Sequence, residues 1–194
     1  MNRFYSAFRS LTFVLLAGFA LASCSDDDDD NATPSLDDKV EYDGQTYNLR
    51  TGVVEDYGTG DVEGHYNYDF YVTDGTLVVE DDEAASLENA KILVYTELFS
   101  SGEAAFTTGT FTFVQDAESS QANGKHVFEN AEVIVDSNND NILDENDDVF
   151  EATGGTVTVS GSNNNYTLDF NLTLNNGKTA RGNYSGNFRY FDER

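Results

Sequence analysis

The chain has 194 residues, of which 36 are Asp or Glu and 10 are Lys or Arg, giving a formal charge of −26. So acidic a surface repels phosphates, and no basic stripe reverses the field, so nucleic acid is excluded as a partner. The single cysteine, Cys24, excludes an internal disulfide and any zinc cluster built on several thiolates. What remains is a chain whose acidity serves solubility at a crowded surface, or cation binding at particular carboxylate clusters.

From the N-terminus, Arg3 and Arg9 precede an apolar stretch over residues 11–22, followed by small residues. That is the n-, h- and c-region order of a secretory signal peptide. About a dozen apolar residues are too few to cross ~30 Å of hydrocarbon, so residues 1–23 are expected to be a cleaved signal and not a lasting anchor. Leu21-Ala22-Ser23-Cys24 resembles the lipobox of bacterial lipoproteins. The resemblance implies cleavage before Cys24 and acylation of its thiol, which would leave the mature chain without a free thiol. Several acyl chains at ~0.8 kcal/mol per buried CH₂ would hold a soluble domain to a membrane. Losing Arg3 and Arg9 leaves 8 cations against 36 acids, a charge near −28. Next, Cys24-Ser25-Asp26-Asp27-Asp28 resembles the export signal of surface lipoproteins of the Bacteroidota, which implies a location on the outer membrane facing the cell exterior. With no apolar residue to bury, the acidic, polar stretch over residues 24–38 is expected to be a disordered tether.

Residues 39–194 read as one β domain. Strands are expected over residues 40–49, broken by Asp43-Gly44, and over 52–57, 64–73 and 76–79. In the 64–73 segment Tyr66, Tyr68, Phe70 and Val72 share one face, opposite His65, Asn67, Asp69 and Tyr71. Residues 81–90 hold Ala, Leu and Glu and no β-branched residue, so a turn or two of helix, or an acidic loop, is expected there. Strands resume over 91–99, 108–114 and 125–135.

After Pro34 the chain has no proline to interrupt a strand. At the C-terminal end, residues 149–152 read as one strand and residues 156–160 as the first of a three-stranded meander. Tyr166, Leu168, Phe170, Leu172 and Leu174 then alternate with polar residues. Asn175-Asn176-Gly177 supplies a tight turn, and residues 178–190 return, with Gly182 and Gly186 marking bulges or close packing. The whole is expected to be all-β, a single antiparallel sandwich or open barrel of about 8–11 strands. Gly154-Gly155-Thr156-Val157-Thr158-Val159, Tyr166-Thr167-Leu168-Asp169-Phe170-Asn171-Leu172 and residues 176–186 resemble the C-terminal meander of a group of uncharacterised β-rich lipoproteins of the same bacteria. That resemblance implies the β-fold and brings no activity.

Between two of these strands lies the strongest chemical signal, residues 136–147, with oxygen-bearing side chains at positions 1, 3, 5, 9 and 12 of the run. It resembles the EF-hand and dockerin type of calcium loop. The resemblance implies side-chain oxygens from Asp136, Asn138 and Asp140, the carbonyl of Ile142, a direct or water-mediated contact from Asp144 and a closing carboxylate from Asp147. Two departures stand out: position 6 is Asn141 where glycine is usual, and position 12 is Asp147, shorter than glutamate. No flanking helix is expected, so the loop would sit on a β-hairpin, and the alternative is a solvated Asn/Asp-rich connection that binds nothing tightly. Four carboxylates folded close together without a counter-charge would repel one another.

His65 and His126 are the only histidines, and neither lies in a nucleophile elbow or an HExxH pattern, so both are expected to be ordinary surface or strand residues. Of the 11 tyrosines and 14 phenylalanines most must be core, while Tyr57, Tyr71 and Tyr95 would be the exposed contributors to any glycan-binding face. No catalytic residues are assigned. The functional expectation is a lipid-anchored, non-enzymatic binding or structural module at the cell surface, stabilised by Ca²⁺ and facing an extracellular glycan or protein ligand. A glycan-binding accessory lipoprotein is the alternative, and a hydrolase comes third.

Overall fold

A computed structural model describes residues 37–59, 62–80, 83–144 and 146–194. The expected signal peptide, the lipidation site Cys24, the export residues Ser25, Asp26, Asp27 and Asp28, and most of the tether lie outside the described residues.

The described chain is built of β-strands: β1 (Lys39–Tyr42), β2 (Gln45–Asn48), β3 (Thr51–Gly58), β4 (His65–Thr73), β5 (Thr76–Glu80), β6 (Glu83–Glu88) and β7 (Ile92–Ser101). They continue as β8 (Gly109–Phe113), β9 (Val127–Phe128), β10 (Ala131–Val135), β11 (Asp148–Ser162), β12 (Asn165–Leu174) and β13 (Thr179–Asp192). Their pairings return on themselves. The path β7–β4–β3–β13–β12–β11 is closed between β11 and β7 by β10 at one end and by β8 and β9 at the other. Of the two expected architectures the register therefore selects a barrel, and one that is closed.

Pairing is antiparallel except at β8–β9 and at β13–β3, where Phe188 to Asp192 run parallel beside Gly52 to Asp56. The second exception follows from β1, which takes the first half of the same β13 edge through Lys39↔Asn183 and Tyr42↔Ala180. The expected meander is β11–β12–β13. Its first strand is longer than expected, because residues 149–152 and 156–160 belong to one strand carrying a bulge between Ala152 and Gly154.

Alternation fills the interior. Strand β12 buries Tyr166, Leu168, Phe170, Leu172 and Leu174 in strict turn, and they meet Phe70, Val72, Val157, Val159, Phe111, Tyr184 and Phe188 in one core cluster. Each such side chain contributes about 1.5–3 kcal/mol when fully buried. Phe70 stands edge-on to both Tyr166 and Phe188, with ring centroids 5.5 Å apart in each case. Among the described residues, Thr96 Oγ1 is a buried hydroxyl with no hydrogen-bond partner.

One local expectation is overturned. Residues 83–88 are neither helix nor loop but strand β6, paired with β5 from Thr76↔Glu88 to Glu80↔Glu83. The Ala-, Leu- and Glu-rich composition favours helix, yet the strand-forming residues of β5 supply a hairpin partner, and pairing outweighs a preference of a few tenths of a kcal/mol per residue.

Candidate functional site

The 136–147 run connects β10 to β11, as expected of a loop on a hairpin. Its carboxylates organise its own backbone. Asp136, only 8% exposed, accepts the Asp140 N–H at Oδ1 (3.1 Å) and the Asn141 N–H at Oδ2 (3.0 Å). Asn138 Oδ1 also takes the Asp140 N–H, and Asp140 Oδ1 takes the Ile142 N–H, both at 2.9 Å. Asp144 Oδ1 accepts the Asn146 N–H (2.8 Å). Asp147 ties the two ends, accepting from Ser137 N–H at Oδ1 and from Asp144 N–H at Oδ2, each at 3.0 Å.

Asn139 and Asn141 sit in the left-handed region with φ of 63° and 62°, which asparagine tolerates better than most residues. The loop is anchored to the barrel where the Ala90 N–H donates to Asn141 O and the Asp136 N–H to Lys91 O. Among the described residues no three His, Cys, Asp or Glu side chains converge as a metal-holding group. Asp136, Asn138, Asp140, Asp144 and Asp147 thus share one loop with Ile142, and the side-chain oxygens of these five accept from its backbone N–H groups.

A second polar cluster went unread in the sequence. Glu55, Asp69 and Glu97 stand in register across β3, β4 and β7 on the outer face of the sheet. Glu55 Oε2 accepts from Tyr57 Oη (2.9 Å) and Tyr71 Oη (3.1 Å). Asp69 accepts from Tyr95 Oη (3.1 Å) and from Asn67 Nδ2 (3.3 Å), and Asn130 Nδ2 donates to Glu97. These donors are neutral. Burial pushes the Glu55 carboxyl up, against the pull of its two phenols. It pushes Asp69 well above the usual carboxylate range, reinforced by the charges of Glu97 and Glu55. In return Tyr57 is driven far up by its own burial and by the adjacent Glu55 charge.

The expectation of exposed tyrosines is thus corrected: Tyr71 and Tyr95 are buried, and their hydroxyls are used on these carboxylates. The only sequence signal was that Glu55 and Asp69 are acids at strand positions out of phase with the core. In a chain with 36 acids that signal is swamped.

At one mouth of the barrel, Asp56 points inward and is 3% exposed. It accepts Tyr190 Oη (2.7 Å) and Tyr66 Oη (3.3 Å) at Oδ2 and the Gly58 N–H at Oδ1 (3.0 Å). Arg194 Nε lies 3.7 Å from the same carboxylate. Asp56 therefore clamps β3, β4 and β13 together, and Tyr190 is pushed up by burial and by its bond to this charge.

Of the expected surface or strand positions, His65 takes the strand one and His126 is half-buried just before β9. His65 is buried at the start of β4, under the segment between β8 and β9, where Ala117 and Ala122 pack with Val62, Phe99 and Val127. Alternation shows which β4 residues share a face, but this covering segment is remote in sequence. His126 stacks on Phe111 with ring centroids 4.9 Å apart.

The chain matches no family model, no curated protein and no solved structure. Fold and sites together define an acidic, barrel-like β domain bearing an Asp/Asn loop at one hairpin and a buried carboxylate row on one outer face.

Proposed function

We propose that this chain is a lipid-anchored surface protein whose β domain is a non-enzymatic binding or structural module, and that residues 136–147 form a calcium loop stiffening the β10–β11 connection. The observation that carries the reading is the left-handed Asn141 at position 6, φ 62°, directly after Asp140, whose N–H Asp136 and Asn138 share. A tight turn at that position is what a cation loop needs, and asparagine makes it here without glycine. The donor chemistry fits a hard cation, since Asp136, Asn138, Asp140, Asp144 and Asp147 offer only oxygen acceptors, and a carboxylate oxygen holding one N–H retains a lone pair. Bound calcium would offset the mutual repulsion of four aspartates and order the hairpin. The anchor rests on Leu21-Ala22-Ser23-Cys24 and the acidic run that follows it.

The test is a thermal melt of the full chain in detergent, first in chelator and then in millimolar calcium, beside Asp140→Ala. Calcium tenfold above its Kd adds about 1.4 kcal/mol to the native state, so the wild-type midpoint should rise and that of the variant should stay. Equal shifts in both, or none, would reduce the loop to a solvated connection. Intact mass of the protein recovered from membranes tests the anchor. Loss of residues 1–23 with added acyl mass on Cys24 is expected, and an unmodified Cys24 would refute it.

A further inference from the structure

We propose that His65 is a proton-dependent strap that holds the β8–β9 segment against the barrel, with His126 as its neutral counterpart. His65 is 3% exposed, and each ring nitrogen faces a backbone carbonyl: Nδ1 lies 3.0 Å from Glu63 O and Nε2 lies 3.0 Å from Lys125 O. A carbonyl oxygen only accepts, and a neutral imidazole carries one N–H. Only the imidazolium supplies both contacts, and the neutral ring leaves one nitrogen lone pair directed at a carbonyl in a site closed to water.

The two carbonyls belong to different parts of the fold. Glu63 lies in the turn before β4, whereas Lys125 ends the segment that seats Ala117 and Ala122 on Phe99 and Val127. That segment has a second tether, the Ala117 N–H donating to Glu129 Oε2 at 2.6 Å. Losing the His65 contact would therefore loosen its C-terminal half first.

His126 has the opposite requirement. Its Nδ1 accepts the Ser101 N–H at 2.9 Å, so that nitrogen must be unprotonated, and its proton belongs on Nε2. Burial holds His126 below the ordinary histidine range, and the neighbouring His65 charge adds to this. The pair is thus asymmetric, with His65 carrying the charge and His126 remaining neutral. The other charged groups around the strap are Glu63 and Lys125, whose carbonyls it binds, and Glu103, whose Oε1 takes the Gly64 N–H at 3.1 Å. The ring bonds to backbone carbonyls of Glu63 and Lys125 and not to the side-chain carboxylate of Glu63 or Glu103.

The sign follows directly. The strap is complete when both ring nitrogens of His65 carry a proton, and one of its two contacts is lost when either proton leaves. The segment should close in acid and open in base.

The experiment measures amide-exchange protection factors, corrected for intrinsic rate, over residues 117–126 of the full chain at pH 5.5 and pH 8.0. A charged hydrogen bond corresponds to roughly tenfold or more in local opening, so protection should be about ten times higher at pH 5.5. His65→Gln should abolish the difference and His126→Gln should retain it. Because His65→Gln could fail to fold, ring-nitrogen NMR of the wild-type protein is read alongside, and both nitrogens of His65 should carry protons at pH 5.5 while Nδ1 of His126 does not. A single His65 tautomer throughout, pH-independent protection, or a pH effect abolished by His126→Gln but not by His65→Gln would overturn the proposal.

Discussion

Glu55 and Asp69 face each other directly in the β3–β4 ladder, two buried carboxyls whose described hydrogen-bond donors are phenols and one amide. Cross-strand neighbours have Cβ atoms about 4.5–5.5 Å apart, close enough for like charges to oppose one another. Both carboxyls are pushed up, chiefly by burial. The folded state therefore holds protons that the unfolded chain has already released. Stability must fall as pH rises from the ordinary carboxylate range to the raised values, and the penalty persists above them.

Asp69→Asn removes one of the two charges and keeps an oxygen acceptor and a partner for Tyr95. The variant should gain about 1 kcal/mol over wild type at pH 8, and the gain should vanish or reverse near pH 4, where the native carboxyl is protonated. Denaturant melts of both proteins at the two pH values decide it. An equal loss at both would show that Asp69 acts through its shape and hydrogen bonds alone.

The complementary change is Tyr57→Phe, which removes one of the two phenols on Glu55 Oε2. A hydrogen bond to a charged group contributes about 1.5–3 kcal/mol, reduced here because Tyr57 is half-buried and water can replace it. A cost near 1 kcal/mol is expected at pH 8, and a smaller one at pH 4, where the raised Glu55 carboxyl is protonated. A cost independent of pH would mean that Tyr57 contributes through ring packing and not through its hydroxyl.

The sequence makes plain what depends on neighbours in the chain. The alternation of β12 fixed which of its faces is dry, and the Asp43-Gly44 turn has the positive φ values, 49° and 74°, that its residue types imply. Contacts made by distant segments were not legible. Nothing in residues 52–56 indicates a parallel partner in residues 188–192. Nothing in the Ala-, Leu- and Glu-rich residues of β6 shows that β5 will claim them. His65 fell on the expected face of β4, but alternation assumed that face to be wet, and a segment some 50 residues later in sequence covers it. The 136–147 loop was legible as a cluster because the hydrogen bonds from its backbone to its own side chains are local, each spanning ten residues or fewer.

That locality gives a stability prediction independent of calcium. Asn141 holds φ at 62°, a conformation costing a residue with an ordinary side chain roughly 1–2 kcal/mol. Asn141→Ala should destabilise the chelated protein by about 1 kcal/mol, and Asn141→Gly should leave it close to wild type. If alanine were tolerated as well as glycine, the turn would not be held in this conformation in solution.

Gly182 tests the barrel closure. It was expected to mark a bulge or close packing, and it is the latter: among the described residues the ladders shift register at Ala152/Gly154, Asp56/Gly58 and Val78/Val79, and the β12–β13 ladder runs unbroken past Gly182. A methyl group at Gly182 would collide with the Phe170 ring on one side and would lie 2.6 Å from Lys39 O on the other. Phe170 is core and Lys39 O belongs to the β1 edge in register with β13, so relief requires either repacking of the interior or withdrawal of β1. Overpacking of this kind costs about 1–3 kcal/mol. Gly182→Ala should therefore lose that much in a denaturant melt, and amide exchange should rise first in β1 and β2, the strands reached only through this edge. A loss confined to global unfolding, with β1 protection unchanged relative to the core, would instead place the strain on Phe170.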